Sequence, residues 1–190
     1  MFNESEDTRH RVFISYHHAN DEEYKKEFEK RFGDIFINES VQDGEYDTEL
    51  SDGYVKRIIR ENKISLSTVV VVLIGSETYK RKHVDWEIYA ALTEKANGHS
   101  GLLGVILPSY YDNPKNLGLT TDEFYPSTIP ARLAKNVDSQ YAILYRWNDI
   151  IQKNGGEYNI KTYIEDAFNR KNYEADKIVL GGNQMEENEE

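Results

Sequence analysis

The chain has 190 residues, 38% of them hydrophobic, no cysteine and a formal net charge of −11. That length suits one domain with extensions and supplies enough apolar material for a core. The charge argues against nucleic-acid backbone binding, which needs a basic stripe, and the missing cysteines exclude disulfides, thiolate nucleophiles and Cys-ligated metal centres.

Residues 1–10, with Glu4, Glu6 and Asp7, read as a disordered arm. Arg11 to Tyr16 is a short apolar run without clean alternation, the pattern of a parallel strand covered on both faces. A polar loop through His17 and His18 leads to Asn20-Asp21-Glu22-Glu23. Asn20 suits an N-cap and Glu23 the third helical position, an Asn form of the capping box. Tyr24, Phe28 and Phe32 then recur every fourth residue and predict a helix from about residue 21. Ile35 to Asn38 suits a second strand and Glu39 to Glu49 a loop. Val55, Ile58 and Ile59 mark a second helix, capped near Ser51 or Asp52 and closing over Asn62 to Leu66.

Residues 67–74 form the strongest predicted strand, four valines followed by Leu73 and Ile74. Gly75-Ser76 is its sharp exit. A polar loop with the basic cluster Lys80-Arg81-Lys82 precedes a helix whose Val84, Ile88, Ala91 and Leu92 make one stripe. Glu87 lies on the flank of that stripe, where a carboxylate can be partly desolvated yet reachable. Gly101 to Leu107 is another buried strand, ended by Pro108. Residues 109–138, with Pro114, Pro126 and Pro130, read as a long irregular segment of the kind that often carries function. Tyr141 to Trp147 predicts a further strand. Ile160, Tyr163, Ile164, Ala167 and Phe168 predict a last helix. Residues 172–190 read as an acidic, mobile tail. The domain is expected over 11–171.

This alternation implies an α/β fold, a flavodoxin-like three-layer sandwich with a mostly parallel central sheet. In such sheets ligands collect outside the carboxyl ends of the strands. Glu87, after a strand and its Gly-Ser exit, therefore suggests a site; the plainer reading is an acid favoured by the helix dipole. No Gly-x-Gly-x-x-Gly follows the first strand, and there is no Walker A loop and no His-Glu-x-x-His. A phospho-receiver shares the layering, but the strand ending Leu73-Ile74-Gly75-Ser76 lacks an acceptor carboxylate. His17-His18 has no geometry that fixes a metal, since neighbours on a strand face opposite ways; no metal is expected. No apolar run approaches the roughly 20 residues of a membrane span, and no N-terminal stretch has the pattern of a signal peptide. The expectation is a soluble cytoplasmic protein that engages neither nucleic acid nor membrane.

Arg11-Val-Phe-Ile-Ser-Tyr16, Val71-Val-Leu-Ile-Gly-Ser76 with Thr78, and Val84-Asp-Trp-Glu-Ile88 together resemble the TIR-like proteins of the Thoeris anti-phage system, the ThsB family. The likeness covers roughly residues 10–107. It implies an enzyme that uses NAD+ as substrate, without a further cofactor, and cleaves its nicotinamide–ribose bond. It implies a cyclic or otherwise modified ADP-ribose signal that activates a partner effector, a phage-derived trigger, and possible homo-oligomers. The family's catalytic Glu maps onto Glu87. Ser15, Tyr16 and His17 at the first strand's exit and the Gly75-Ser76 turn would line the pocket, with Lys80 or Arg81 toward the pyrophosphate. Trp86 and Tyr16 are able to stack on a ring, although core packing suits both. TIR enzymes often carry Trp four residues before the catalytic Glu; here that position, on the expected pocket wall, is His83. Two other readings stay open: a non-catalytic TIR-like assembly module, and a nucleoside-processing transferase with Glu87 as nucleophile.

Overall fold

Five strands pair side by side, all in parallel, in the order β2-β1-β3-β4-β5. The computed structural model describes residues 9–40, 53–121, 123–152 and 155–189, with backbone only over 53–59. Along the chain run β1 (Arg11–Ser15), α1 (Glu22–Phe32), β2 (Ile37–Asn38), α2 (Gly53–Leu66), β3 (Val69–Ile74), α3 (Lys82–Leu92), β4 (Gly101–Ile106), α4 (Ala131–Asp138), β5 (Ile143–Arg146), α5 (Trp147–Ile150) and α6 (Gly156–Tyr173). This is the doubly wound α/β architecture expected, with the strand order of flavodoxin-like folds. The order reverses between β1 and β3, so the crevice at their carboxyl ends is the topological switch point.

β3 explains why its sequence reads as strand. Its six residues are all buried, because the sheet is covered on both faces. Val69, Val71 and Leu73 pack with Phe28 and Phe32 of α1 and Ile160, Ile164 and Ala167 of α6. Val70, Val72 and Ile74 pack with Ile64 of α2, Val84, Ile88 and Leu92 of α3 and Leu133 of α4. The same alternation sends Phe13 of β1 to the α3 side, and Ser15, two residues on, follows it. Gly101 opens β4 because α6 crosses there. A Cβ at that position would meet the Ala167 carbonyl oxygen at 2.2 Å.

Several expectations need correction. Only Ile37–Asn38 of the 35–38 run is strand. The N-cap of α1 is Asp21, not Asn20, and it makes no side-chain cap bond; its carboxylate is drawn into a tertiary contact. The Asn20 amide donates instead to Glu77 Oε2 at 3.2 Å, so no capping box forms. The suggested caps of α2 at Ser51 and Asp52, and residues 1–8 of the arm, lie outside the described residues. Trp147 ends no strand: it opens the short helix α5.

The 109–138 segment is less irregular than its prolines suggest. Pro108, Pro114 and Pro126 each start a 3-10 turn, where a missing N–H costs nothing. Pro130 precedes α4. That helix escapes a hydrophobic pattern because part of its inward face is polar: Arg132 and Asn136 are buried beside Leu133.

Those two residues also hold the tail, which makes hydrogen bonds to α3 and α4. Arg132 forks onto Asp85 of α3, with Nε to Oδ1 at 2.9 Å and Nη2 to Oδ2 at 3.2 Å. The Met185 amide donates to the same Oδ2 at 2.9 Å. The Asn136 amide donates to the Val179 carbonyl at 2.8 Å and accepts from the Val179 N–H at 3.0 Å. Trp86 Nε1 donates to the Met185 carbonyl at 2.8 Å. Beyond it, Asn188 Oδ1 accepts from the Lys82 N–H at 3.0 Å. Glu189 N–H donates to the Lys80 carbonyl at 3.0 Å. Among the described residues no helix is long and apolar enough to cross a membrane.

Removing one partner of a buried ion pair leaves the other charge uncompensated. Arg132→Met is therefore expected to cost about 3 kcal/mol in urea unfolding. It should also accelerate amide hydrogen exchange at Val179 and Met185 far more than at Val71.

Candidate active site

Glu87 is the sixth residue of α3, beyond the first turn that the helix dipole favours. The first-turn acid is Asp85, which is committed to Arg132. Glu87 is only 4% exposed. Its Oε2 accepts from Ser15 Oγ at 2.6 Å, at the carboxyl end of β1. Its Oε1 lies 3.4 Å from Arg60 Nε, on α2. The ion pair is buried, since Arg60's side chain is itself 14% exposed. Arg60 Nη2 donates onward to His18 Nε2 at 3.0 Å, and the His18 ring lies 4.3 Å from the Tyr16 ring.

Burial raises the Glu87 carboxyl from its ordinary range to about 6, with Arg60 and then Ser15 opposing the rise. Burial, then Arg60, lowers His18 to about 4. His83, which shares a helix face with Glu87 at i, i+4, is likewise lowered to about 4 by burial and by Arg60 and Lys82. At neutral pH the cluster therefore holds one carboxylate, one guanidinium and two neutral imidazoles. In so dry a setting a fixed anion acts on a nearby positive charge far more strongly than it would in water.

A second junction lies at the same carboxyl ends of the strands. Asp21 is fully buried. Its Oδ2 accepts from Thr78 Oγ1 at 3.2 Å and its Oδ1 from Ser109 Oγ at 3.2 Å. Thr78 Oγ1 in turn accepts from the Gly75 N–H at 2.8 Å. Gly75 is needed for this approach: a Cβ there would lie 2.3 Å from Asp21 Oδ1. One carboxylate thereby ties the exits of β1, β3 and β4.

The expected site residues separate into groups. Ser15 touches Glu87 directly. Gly75 makes room for Asp21 and donates its N–H to Thr78, not to Glu87. Tyr16 points to the opposite face of the sheet and belongs to the core with α1, with its hydroxyl donating to Glu22 at 2.6 Å. His17 is buried, and its Nδ1 accepts from the Asn20 N–H at 3.0 Å. Ser76 uses its carbonyl to accept from Asn113 at 2.7 Å. Arg81 donates to Glu77 at 3.4 Å. His83 packs edge-on to Trp86 at 5.3 Å, and its Nδ1 finds no hydrogen-bond partner among the described residues. Trp86 is no core residue, because the tail takes its indole N–H. Arg60 and His18 join the Glu87 cluster by contact, and the sequence reading did not select them. Arg60 directly follows the apolar positions of α2, at the flank of their stripe, which is the same signal that singles out Glu87 on α3. No group of three or more His, Asp or Glu able to hold a metal occurs among the described residues.

A raised acid in the fold has a defined sign for stability. The protonated form is favoured on folding, so Glu87's contribution is full below its ordinary pKa and is lost as pH rises through about 6. Glu87→Gln is therefore expected to unfold with a free energy on the order of 1–2 kcal/mol higher than wild type at pH 7. The two should converge at pH 4 in paired urea titrations.

The family model for the Thoeris protein ThsB, TIR-like domain, matches residues 13–112, a span that carries Ser15, Arg60, Gly75 and Glu87 together. No curated protein matches the chain. With more than half of its 190 residues matched, over the elements that build the crevice, the chain belongs to the Thoeris ThsB family through its TIR-like domain.

Proposed function

We propose that the protein is an NAD+-consuming enzyme of bacterial anti-phage defence. It cleaves the nicotinamide–ribose bond in the cytoplasm and turns the remainder into a cyclic or related ADP-ribose signal for an effector protein. A phage-derived component triggers it. The observation that carries this reading is the Glu87 carboxylate, held in a dry setting by Ser15 at the carboxyl ends of β1 and β3.

The chemistry needs little more than such an anion. Nicotinamide leaves from a pyridinium, so the C–N bond electrons neutralise it and no general acid is required. The ribose C1 becomes oxocarbenium-like, as in glycoside cleavage. A fixed carboxylate beside it stabilises the growing positive charge. A carboxylate offers about four lone-pair positions, and Ser15 and Arg60 engage one on each oxygen. The others are available to a ribose hydroxyl, which would orient the sugar against the anion. The oxocarbenium is then captured by water, or by a hydroxyl or ring nitrogen of the same nucleotide to close a ring.

Glu87→Gln keeps the shape and the Ser15 contact but removes the charge. It is expected to fold, to keep its self-association and to abolish nicotinamide release. Mass spectrometry of nucleotides from phage-infected cells expressing wild type or the variant reads this directly. An unchanged nucleotide pool in both strains, with protection against phage retained in both, would assign the domain to assembly rather than catalysis.

A further inference from the structure

We propose that Arg60 is the positioning residue of the site: its guanidinium, anchored on His18, keeps the buried Glu87 carboxylate ionised and aimed. This rests on the catalytic reading of Glu87 and names what makes that residue usable.

Three observations converge on it. Arg60 comes from α2, which is not joined directly in sequence to β1 or α3, and it reaches Glu87 Oε1 at 3.4 Å. Its other end is fixed, because Nη2 donates to His18 Nε2 at 3.0 Å, and that bond requires an unprotonated His18 nitrogen. Among the described residues, the groups facing the cluster from the packed elements leave the task to Arg60. β1 contributes the neutral Ser15 hydroxyl. The β1–α1 loop contributes His18, with Glu22 and Lys25 acting on it from α1. α3 contributes His83 and, beyond it, Lys82. Both imidazoles titrate below pH 7, His83 half-buried and His18 at an exposed position beside Arg60. Among the described residues Arg60 is thus the cation in contact with Glu87.

Burial alone would push Glu87 toward protonation at physiological pH, and a protonated Glu87 offers no charge to an oxocarbenium. Arg60 opposes that. The geometry also limits how strongly it does so: the closest approach is by Nε at 3.4 Å, longer than a bidentate fork would give. The carboxylate is held ionised without being fully neutralised, and one oxygen keeps a direction open.

The test reads Glu87's titration without relying on turnover. Unfolding free energies of Glu87 and Glu87→Gln proteins are compared across pH 4–9, first with Arg60 and then with Arg60→Met. In the Arg60 background the difference should develop up to pH about 6. In the Arg60→Met background its upper end should move alkaline by about one pH unit, a tenfold change in the ionisation equilibrium. Arg60→Lys keeps a positive charge and should hold the end near its original place. Arg60→Gln, uncharged but polar, should behave as the Met variant does and serves if that protein fails to fold. Nicotinamide release should fall about tenfold at pH 7 in the uncharged variants and recover as pH rises. A titration unmoved by loss of the charge overturns the proposal, and so does a Lys variant that shifts as far as Met. Absence of nicotinamide release from the triggered wild type would instead strike the catalytic reading and leave the titration result standing.

Discussion

The close approach of Asp21 to Gly75 is the constraint on which the site depends. A buried carboxylate lies where any side chain at position 75 would be, and it holds Thr78 and Ser109. Those contacts fix where the chain leaves β1, β3 and β4. They set the level at which α3 begins, hence the height of Glu87 above the sheet. Burial raises the pKa of Asp21, and its two hydroxyl donors partly offset that rise. The carboxylate is matched to neutral hydroxyl donors rather than to a cation, so its polar demand is met locally and it does not compete with Glu87 for Arg60.

The site and the neighbouring junction therefore use two buried carboxylates in different ways. Asp21 has hydrogen-bond partners and a structural task. Glu87 has one hydroxyl, one off-axis guanidinium and an environment that disfavours its charge. A residue placed at a cost to the fold, on the carboxyl edge of a parallel sheet, is a common mark of function. The same argument separates Glu87 from Asp85, two residues away. Asp85 is also buried, but a bidentate arginine and a backbone amide give it three hydrogen bonds.

The sequence made legible the parts of the fold that depend on burial alone. β1, β3 and β4 are sandwiched between helices, so their apolar runs are uninterrupted. α1 was readable from Tyr24, Phe28 and Phe32, and α3 from Val84, Ile88 and Leu92. What escaped is held by polar contacts between distant segments. α4 turns Arg132 and Asn136 inward, which breaks the apolar stripe a reader looks for. The tail looked like a solvated acidic end because its anchors are mostly backbone groups, whose partners no side-chain pattern reveals. Asn20 looked like the better cap because Asp21's use by Thr78 and Ser109 is visible only in three dimensions. In the candidate site, Ser15 and Gly75 were singled out by their position at strand exits and Glu87 by its place on the helix after one. Arg60 was not, since a lone arginine on a helix flank is usually a solvated one. Tyr16 packs in the core beside α1 while its ring meets His18 at 4.3 Å, because alternation along β1 sends its neighbour Ser15 to the α3 side.

The hold of the last segment on α3 has a consequence during synthesis. Met185 bonds to Asp85 across a hundred positions of chain, so that contact cannot close until translation has passed it. Contacts so far apart in sequence close later than local ones. Until they do, the upper surface of α3, with Trp86 and the unpaired main-chain groups of its first turn, stays open to water and to chaperones. The helix that carries Glu87 is thus locked down by a segment about a hundred positions further along the chain.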